Sequence, residues 1–337
     1  MSATEDRLAE LNAWLGERGM GAYWMRGEEG AGGPPKKPRL AKKADIYPAL
    51  LRSGELIPVG PKGMTEMRLV TSPLGTETVS LGHQILMPGE RTRAHRNVKN
   101  ETRFVLEAPP EFVFIVDGEA FPVEPGDLIV TPTWTDHDHL NGGDRPAVWL
   151  DGLDMGLMRF GVDINERFPE DDQFQAIDAP TSYAQRTSGH VQPVGVKRES
   201  ELRPMIYPWS ETYATLMALK ASETDGDPCD GIRLMYTNPV DGGSTVKTMS
   251  CEIQLLTGRL KTQTHRHAST SVYYAHRGAG CTIVDGQRLE WEEGDLFSVP
   301  SWSWHHHENP NNDDAILYSV SDWPAMQALG FYKEELA

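Results

Sequence analysis

The sequence predicts an all-β protein built from two copies of one barrel-forming β unit, with an N-terminal helical arm and a partly helical linker. Three observations predict it. From about Met67 onward, apolar runs of roughly four to eight residues are separated by Pro-Gly, Asp-Gly and Glu-Gly steps, the mark of short strands joined by tight turns. The same motifs then recur at a nearly constant offset, which is the signature of an internal repeat. Finally, histidines alternate with other residues in each copy, and side chains at i and i+2 of a strand share one face.

Taken in order, residues 4–19 read as a short helix with Leu8, Leu11 and Leu15 on one side. Residues 27–38 are rich in glycine, proline and lysine and read as a loop or extended arm. A second helix is expected over 44–51, and residues 1–66 together form the arm. The first β unit spans 67–162; within it the strand Phe112–Val116 ends at Asp117-Gly118, and a strand over 127–131 follows Glu124-Pro-Gly126. Residues 163–220 mix polar residues with prolines and read as a linker holding a helix over 211–221, leaving 221–337 as the second β unit.

Ala94-His-Arg-Asn97 recurs as Thr264-His-Arg-His267, an offset of 170 residues. Pro125-Gly-Asp-Leu128 followed by Pro-Thr-Trp-Thr-Asp-His137 recurs as Glu293-Gly-Asp-Leu296 followed by Pro-Ser-Trp-Ser-Trp-His305, an offset of 168. A histidine from so distant a strand meets the first pair only if the sheet closes into a barrel. Three inward donors then form a facial set with open positions, suited to Fe(II) and oxygen chemistry and also to Mn, Ni or Zn. In the second copy that set is His265, His267 and His305; in the first it is His95, position 97 and His137.

Composition narrows the function from the other side. The 337 residues carry 32 Lys and Arg against 49 Asp and Glu, a net charge of −17, which argues against nucleic acid as a partner. No apolar run approaches the roughly 20 residues of a membrane helix, and the opening Met-Ser-Ala-Thr-Glu-Asp is unlike a signal or transit peptide. Cys229, Cys251 and Cys281 lack zinc-type spacing, so buried thiols in a reducing, cytoplasmic compartment are expected.

A closer signal lies in Ala44-Asp-Ile-Tyr-Pro-Ala-Leu-Leu-Arg-Ser-Gly-Glu-Leu-Ile57, Pro88-Gly-Glu90, Ala94-His95, Arg103-Phe-Val105, Trp134-Thr-Asp-His-Asp-His139, Trp149-Leu-Asp-Gly-Leu-Asp154 and Tyr236-Thr-Asn-Pro239. With these stretches the chain, from about residue 40 to Gly330, resembles the gentisate 1,2-dioxygenase family of bicupins, which includes salicylate and 1-hydroxy-2-naphthoate dioxygenases. The resemblance implies two double-stranded β-helix (jelly-roll) barrels and a homotetramer in which the N-terminal arm reaches a neighbour. It implies Fe(II)-dependent cleavage of a hydroxylated benzoate (gentisate, salicylate or a substituted salicylate) by O2 between the carboxyl- and hydroxyl-bearing carbons. It implies metal ligands at His95, position 97 and His137, and catalytic and substrate-binding roles for Arg103, His139 and Asp151. Gly82 and Gln84 would line the pocket, with Arg68 as a second carboxylate-binding arginine.

Position 97 departs from that pattern: it is Asn, and an amide oxygen is a poor substitute for imidazole. Glu101 follows His95 by six residues, where many cupins carry a ligating glutamate, so His95, Glu101 and His137 can form a two-histidine, one-carboxylate triad. Asn97 is then a weak ligand or a hydrogen-bond partner of one. The alternative is that Glu101 is an exposed turn residue and the first site has lost its metal. The second copy is complete in histidines but carries Tyr273 and Ser319 where the first has Arg103 and Asp151, which favours a carboxylate-bearing substrate in the first.

Arg91, Arg93, Arg96, Lys99 and Arg103 crowd one segment and read as a solvated basic strand, except that Arg103 shares the parity of Glu101 and faces inward. His83, His190, His276 and His306 are expected to be structural, Trp134, Trp302 and Trp304 to pack at a barrel mouth, and Met64, Met67 and Met87 to fill core space. Two rival functions remain open: a Mn- or Zn-dependent bicupin decarboxylase or isomerase, and a non-catalytic aromatic-acid-binding module clipped by a metal.

Overall fold

The computed structural model describes residues 36–60, 68–71, 78–158, 205–222 and 226–337, with 13, 17, 74, 76, 166–167 and 174–177. The helix expected over 4–19 and most of the loop at 27–38 lie outside the described residues, as do Met64, Met67 and His190. The chain divides into a unit of residues 1–37 and a unit of residues 38–337, and the architecture below is that of the second.

Two six-stranded antiparallel sheets face each other. In the first half the strands are β1 (Leu40–Ala41), β2 (Leu69–Thr71), β3 (Ser80–Leu86), β4 (Arg96–Asn97), β5 (Glu101–Glu107), β6 (Phe112–Val116), β7 (Glu119–Pro122), β8 (Leu128–Thr131), β9 (His137–Asn141), β10 (Ala147–Leu153) and β11 (Glu166–Arg167), with helix α1 (Lys43–Leu56) after β1. In the second half they are β12 (Met205–Tyr207), β13 (Ile232–Met235), β14 (Ser250–Leu256), β15 (His265–His267), β16 (Ser271–Arg277), β17 (Ala279–Val284), β18 (Gln287–Glu292), β19 (Leu296–Val299), β20 (His305–Glu308), β21 (Ala315–Ser321) and β22 (Glu334–Leu336). Helix α2 (Trp209–Ala221) follows β12, and α3 (Trp323–Ala328) precedes β22.

Each half closes a small sheet over a large one, and the order repeats. The large sheets run β12-β8-β5-β10-β3-β2 and β1-β19-β16-β21-β14-β13; the small ones are β7-β6-β9 and β18-β17-β20-β15-β22. Even the marginal strands correspond: β11 pairs Glu166 with Asn97 as β22 pairs Glu334 with His267.

The repeat is interleaved, which the sequence reading did not anticipate. β1 precedes the first barrel yet pairs with β19 of the second, whereas β12 precedes the second barrel and pairs with β8 of the first. The Gly-Asp turns explain how each borrowed segment is held. Asp127 accepts the Trp209 N–H at the start of α2 (2.7 Å) and Asp295 accepts the Lys43 N–H at the start of α1 (2.9 Å), so each turn satisfies an otherwise orphaned helix N–H. Gly126 and Gly294 both lie at φ +95°, and a Cβ at either would collide with the side chain of Trp209 or Lys43. What reads in the sequence as an arm and a linker therefore contains corresponding parts of the two repeats.

Alternation along the strands separates three large cores, and a smaller fourth lies where Leu50 of α1 packs on Ile85 and Val148. Val105, Phe112, Phe114 and Trp149 fill the first barrel, and Tyr273, Trp291, Phe297 and Leu317 the second. The opposite faces of the large sheets bury a shared core in which Phe104 stacks on Tyr318 at 4.2 Å between ring centroids. A reciprocal pair of carboxylates rims this interface. Asp154 accepts from Asn100 N–H (3.1 Å) and Thr248 Oγ1 (2.6 Å), and Asp322 accepts from Thr270 N–H (2.7 Å) and Thr78 Oγ1 (2.5 Å). All three cysteines are buried, as expected. Among the described residues no helix is long and apolar enough to cross a membrane.

Candidate functional site

Strand geometry gathers the first barrel's polar residues at one point. His95 bridges His137 across the small sheet, and their rings lie 4.3 Å apart between centroids. Glu101 opens β5 on the inner face, and its carboxylate lies 3.0 Å from His137 Nε2. His95, Glu101 and His137 place one donor atom each within 4.8 Å of one another, all buried. Glu101 is 2 % exposed, which excludes its reading as a turn residue in solvent. Asn97 Nδ2 donates to Glu101 Oε1 at 2.9 Å, so the amide holds the carboxylate in place.

The donor chemistry fits a divalent cation. His137 Nδ1 lies 2.9 Å from the Thr135 carbonyl and His95 Nδ1 lies 3.1 Å from that of Arg93, contacts that place the proton on Nδ1 and turn Nε2 inward. His137 Nε2 and the Glu101 carboxylate then face each other as two acceptors 3.0 Å apart, an unfavourable meeting of lone pairs that a cation relieves. Two imidazoles and a carboxylate on one face is a set used by non-haem Fe(II).

Behind this set lies Arg103, fully buried. Its guanidinium bonds Glu101 Oε2 and Thr131 Oγ1, with Nε 3.2 Å from Asp151 Oδ1. Asp151 stands opposite Arg103 on β10 and opposite Gly82 on β3, and its Oδ2 accepts from Gln84. Burial pushes the Asp151 carboxyl up to about 6 against the opposing pull of Arg103. Burial likewise pushes the Glu101 carboxyl up, yet the Arg103 guanidinium holds it well below the usual range. His139 packs edge-on against Phe114 and Trp149; burial, with Arg103 nearby, holds it neutral, and its Nδ1 has no hydrogen-bond partner.

Arg68 is placed differently. Its guanidinium forms a bidentate pair with Glu90 and also reaches the Ile57 carbonyl, so its contacts lie with a turn rather than with the Arg103 group. The basic segment is also not a solvated strand: Arg91 pairs with the fully buried Asp138 at 2.5 Å, and Arg96 with Asp136. Sequence reasoning missed Glu90, Thr131, Asp136 and Asp138 as partners. Asp154, which anchors Asn100 beside Glu101, was detectable from the 168-residue offset that equates it with Asp322.

The second barrel gathers His265, His267 and His305, whose donor atoms also lie within 4.8 Å of one another. Comparisons with known proteins identify the family. Residues 82–153 and 252–321 both match the family described as Cupin domain. The chain is 35 % identical over 312 residues to the 5-aminosalicylate 1,2-dioxygenase of Comamonas sp, covering 89 % of this chain and 81 % of the relative. The chain belongs to the gentisate and salicylate 1,2-dioxygenase family. A second member, gentisate 1,2 dioxygenase 1 of Aquipseudomonas alcaligenes, is 35 % identical over 262 residues, covering 77 % and 74 %. Among solved members, salicylate 1,2-dioxygenase from Pseudaminobacter salicylatoxidans superposes with a TM-score of 0.82 at 27 % identity, covering 98 % of this chain and 97 % of that one. Another structure of that enzyme, with gentisate, gives a TM-score of 0.84 at 26 % identity, covering 98 % and 94 %. The fold is thus the family's bicupin, and the relatives are ring-cleaving dioxygenases.

Proposed function

We propose that this protein is a ring-cleaving 1,2-dioxygenase of a hydroxylated benzoate, working in its first barrel. One observation carries the reading: two imidazoles, a carboxylate and a fully buried guanidinium converge within a single barrel. The names of the relatives, which act on 5-aminosalicylate and gentisate, support the substrate class. In this reading His95, Glu101 and His137 are the metal ligands, and Asn97 holds Glu101. Ferrous iron bound there supplies the activation of O2.

The chain's own groups do the rest. Glu101, Asp151 and Arg103 leave one formal negative charge, which a divalent ion converts to one positive charge that a substrate carboxylate neutralises. Arg103 receives that carboxylate by exchanging part of its bonding with Glu101. Asp151, lifted to about 6, is close enough to neutral solution to take the phenolic proton at Oδ1. Neutral His139 orients the hydroxyl through its unpartnered Nδ1, while Phe114 and Trp149 keep the site dry. Gly82 and Gln84 flank Asp151, and Arg68 braces the turn at Glu90. Assembly as a homotetramer belongs to the same reading and is checked by sedimentation equilibrium.

The deciding experiment mixes Fe(II)-loaded protein, prepared without oxygen, with oxygenated buffer and a panel of gentisate, salicylate and amino- or nitro-salicylates. Oxygen uptake with a ring-fission chromophore is expected for at least one. Silence across the panel, with stoichiometric Mn in protein purified without added metal, would transfer the assignment to the decarboxylase or isomerase class.

A further inference from the structure

The second barrel carries a set of donors that the ring-cleavage reading does not use. His265 pairs directly with His305 across β15 and β20, and the three rings of His265, His267 and His305 lie 4.2, 4.9 and 5.5 Å apart between centroids. His305 is 1 % exposed; its Nδ1 lies 2.9 Å from the Ser303 carbonyl, and its Nε2 is buried without any hydrogen-bond partner. His267 Nδ1 is held by Ser269, 3.0 Å from the carbonyl and 2.9 Å from Oγ. Three imidazoles, two of them held from behind and two presenting an unsatisfied buried nitrogen (His265 Nδ1 and His305 Nε2), form a donor set for a divalent transition metal.

What surrounds this set differs from the first barrel in a way that selects the ligand. A cavity of about 510 Å³ opens against His267 and is lined by Tyr273, Glu252, Arg233 and four serines, 269, 271, 319 and 321. Tyr273 stands at the position of Arg103 and Ser319 at that of Asp151, while Glu252, opposite Ser319, stands at that of Gly82. Among the described residues Arg233 is the only guanidinium in this lining, and two carboxylates already hold it: Asp230 at 2.5 Å and Glu252 at 3.4 Å. The lining carries a second carboxylate, Glu334, so Asp230, Glu252 and Glu334 set against Arg233 leave two formal negative charges; a divalent ion on the three imidazoles would bring the region to neutrality, with no positive charge left over for an incoming anion.

We infer that the second barrel is a separate all-imidazole metal site, formed by His265, His267 and His305, whose open face takes a neutral hydroxyl-bearing ligand and rejects an aromatic carboxylate. The two barrels of one chain then divide two ligand chemistries: the first an acid, the second a neutral hydroxyl compound. This inference is independent of whether the first barrel cleaves salicylates.

Equilibrium dialysis of the full-length apoprotein against Co²⁺ tests the metal half. Two ions per chain are expected, falling to one in His265→Ala/His305→Ala and to one in His95→Ala/His137→Ala. One ion in the unaltered protein that survives the His265→Ala/His305→Ala change overturns the site. Should that double variant fail to fold by circular dichroism, His267→Asn copies the residue that the first barrel tolerates. There the affinity for one ion falls by about tenfold or more, and an unchanged affinity overturns the site. The ligand half uses Co²⁺-loaded His95→Ala/His137→Ala protein and the visible Co²⁺ absorption band. Pyrocatechol is expected to shift the band and salicylate at the same concentration to leave it unmoved. A band indifferent to pyrocatechol, or shifted equally by salicylate, overturns the ligand assignment.

Discussion

Asn97 sits where the second barrel carries His267, and its amide spends itself on the Glu101 carboxylate. Replacing Asn97 with Ala frees Glu101 Oε1 and is expected to weaken first-barrel metal binding by about 10- to 100-fold, read by equilibrium dialysis. An unchanged affinity would show that the amide does not position the carboxylate. Arg103 carries two burdens, charge and geometry, which two substitutions separate. Arg103→Ala leaves Glu101 and Asp151 buried without their cation and should cost about 3–5 kcal/mol of stability, seen in urea unfolding. Arg103→Lys keeps the charge but loses the planar fork, so KM for the aromatic acid should rise tenfold or more with a far smaller stability loss. At this scale the sequence was most legible where parity decides orientation: Glu101 and Arg103 face inward because their strand begins where it does. It was least legible where the partner comes from a turn, as with Glu90 beneath Arg68, because residue parity carries no information about which loop closes over a side chain.

The Gly-Asp turns were visible as a repeated motif, but their purpose was not. Each aspartate caps a helix 82 or 252 residues away in sequence, a separation that local pattern reading does not reach. Asp127 also accepts the Glu124 N–H at 2.8 Å and Asp295 that of Glu292 at 3.0 Å, so each carboxylate satisfies one turn and one helix, and Asp295 in addition pairs with Lys42 at 2.7 Å. Asp127→Ala and Asp295→Ala should therefore each cost about 1–3 kcal/mol in chemical denaturation, Asp295→Ala slightly more because it also removes the Lys42 pair. A markedly larger loss in Asp127→Ala would show that the two turns are not equivalent supports. Helix and strand placement was otherwise legible: Phe112–Val116 is a strand as expected, and the helices expected over 44–51 and 211–221 extend to Lys43–Leu56 and Trp209–Ala221. The residues added at the two helix starts, Lys43 and Trp209, are those whose N–H groups dock on the opposite barrel.

For the whole molecule, buried neutral imidazoles outside both clusters set the acid limit of stability. His83 and His276 are each lowered to about 4 by burial, with Lys43 or Arg277 adding to the effect. Above pH 6.5 neither is charged, folded or unfolded. Between 6.5 and 4 the unfolded chain takes up protons that the folded chain refuses, so stability falls as pH falls and the penalty is complete below about 4. Each group accounts for roughly 3 kcal/mol over that window. His83→Gln should flatten the dependence of urea midpoint on pH across this range, and an unaltered slope would remove His83 from the account. The fold class and the duplication were readable because hydrophobic period and motif offset are properties of the chain alone. The exchange of strands between barrels was not, since β1 and β12 are too short to register as strands and only their partners reveal them.

That exchange has a consequence for dissection of the protein. Residues 38–158 on their own possess a strand, β1, that pairs with the second barrel and lack the strand, β12, that completes the large sheet of the first. Two such fragments can satisfy each other by trading ends, rebuilding as a swapped pair what the intact chain achieves alone. The fragment should consequently elute as a dimer at every concentration where it is folded, and a folded monomeric fragment would mean that the borrowed end can turn back upon its own barrel.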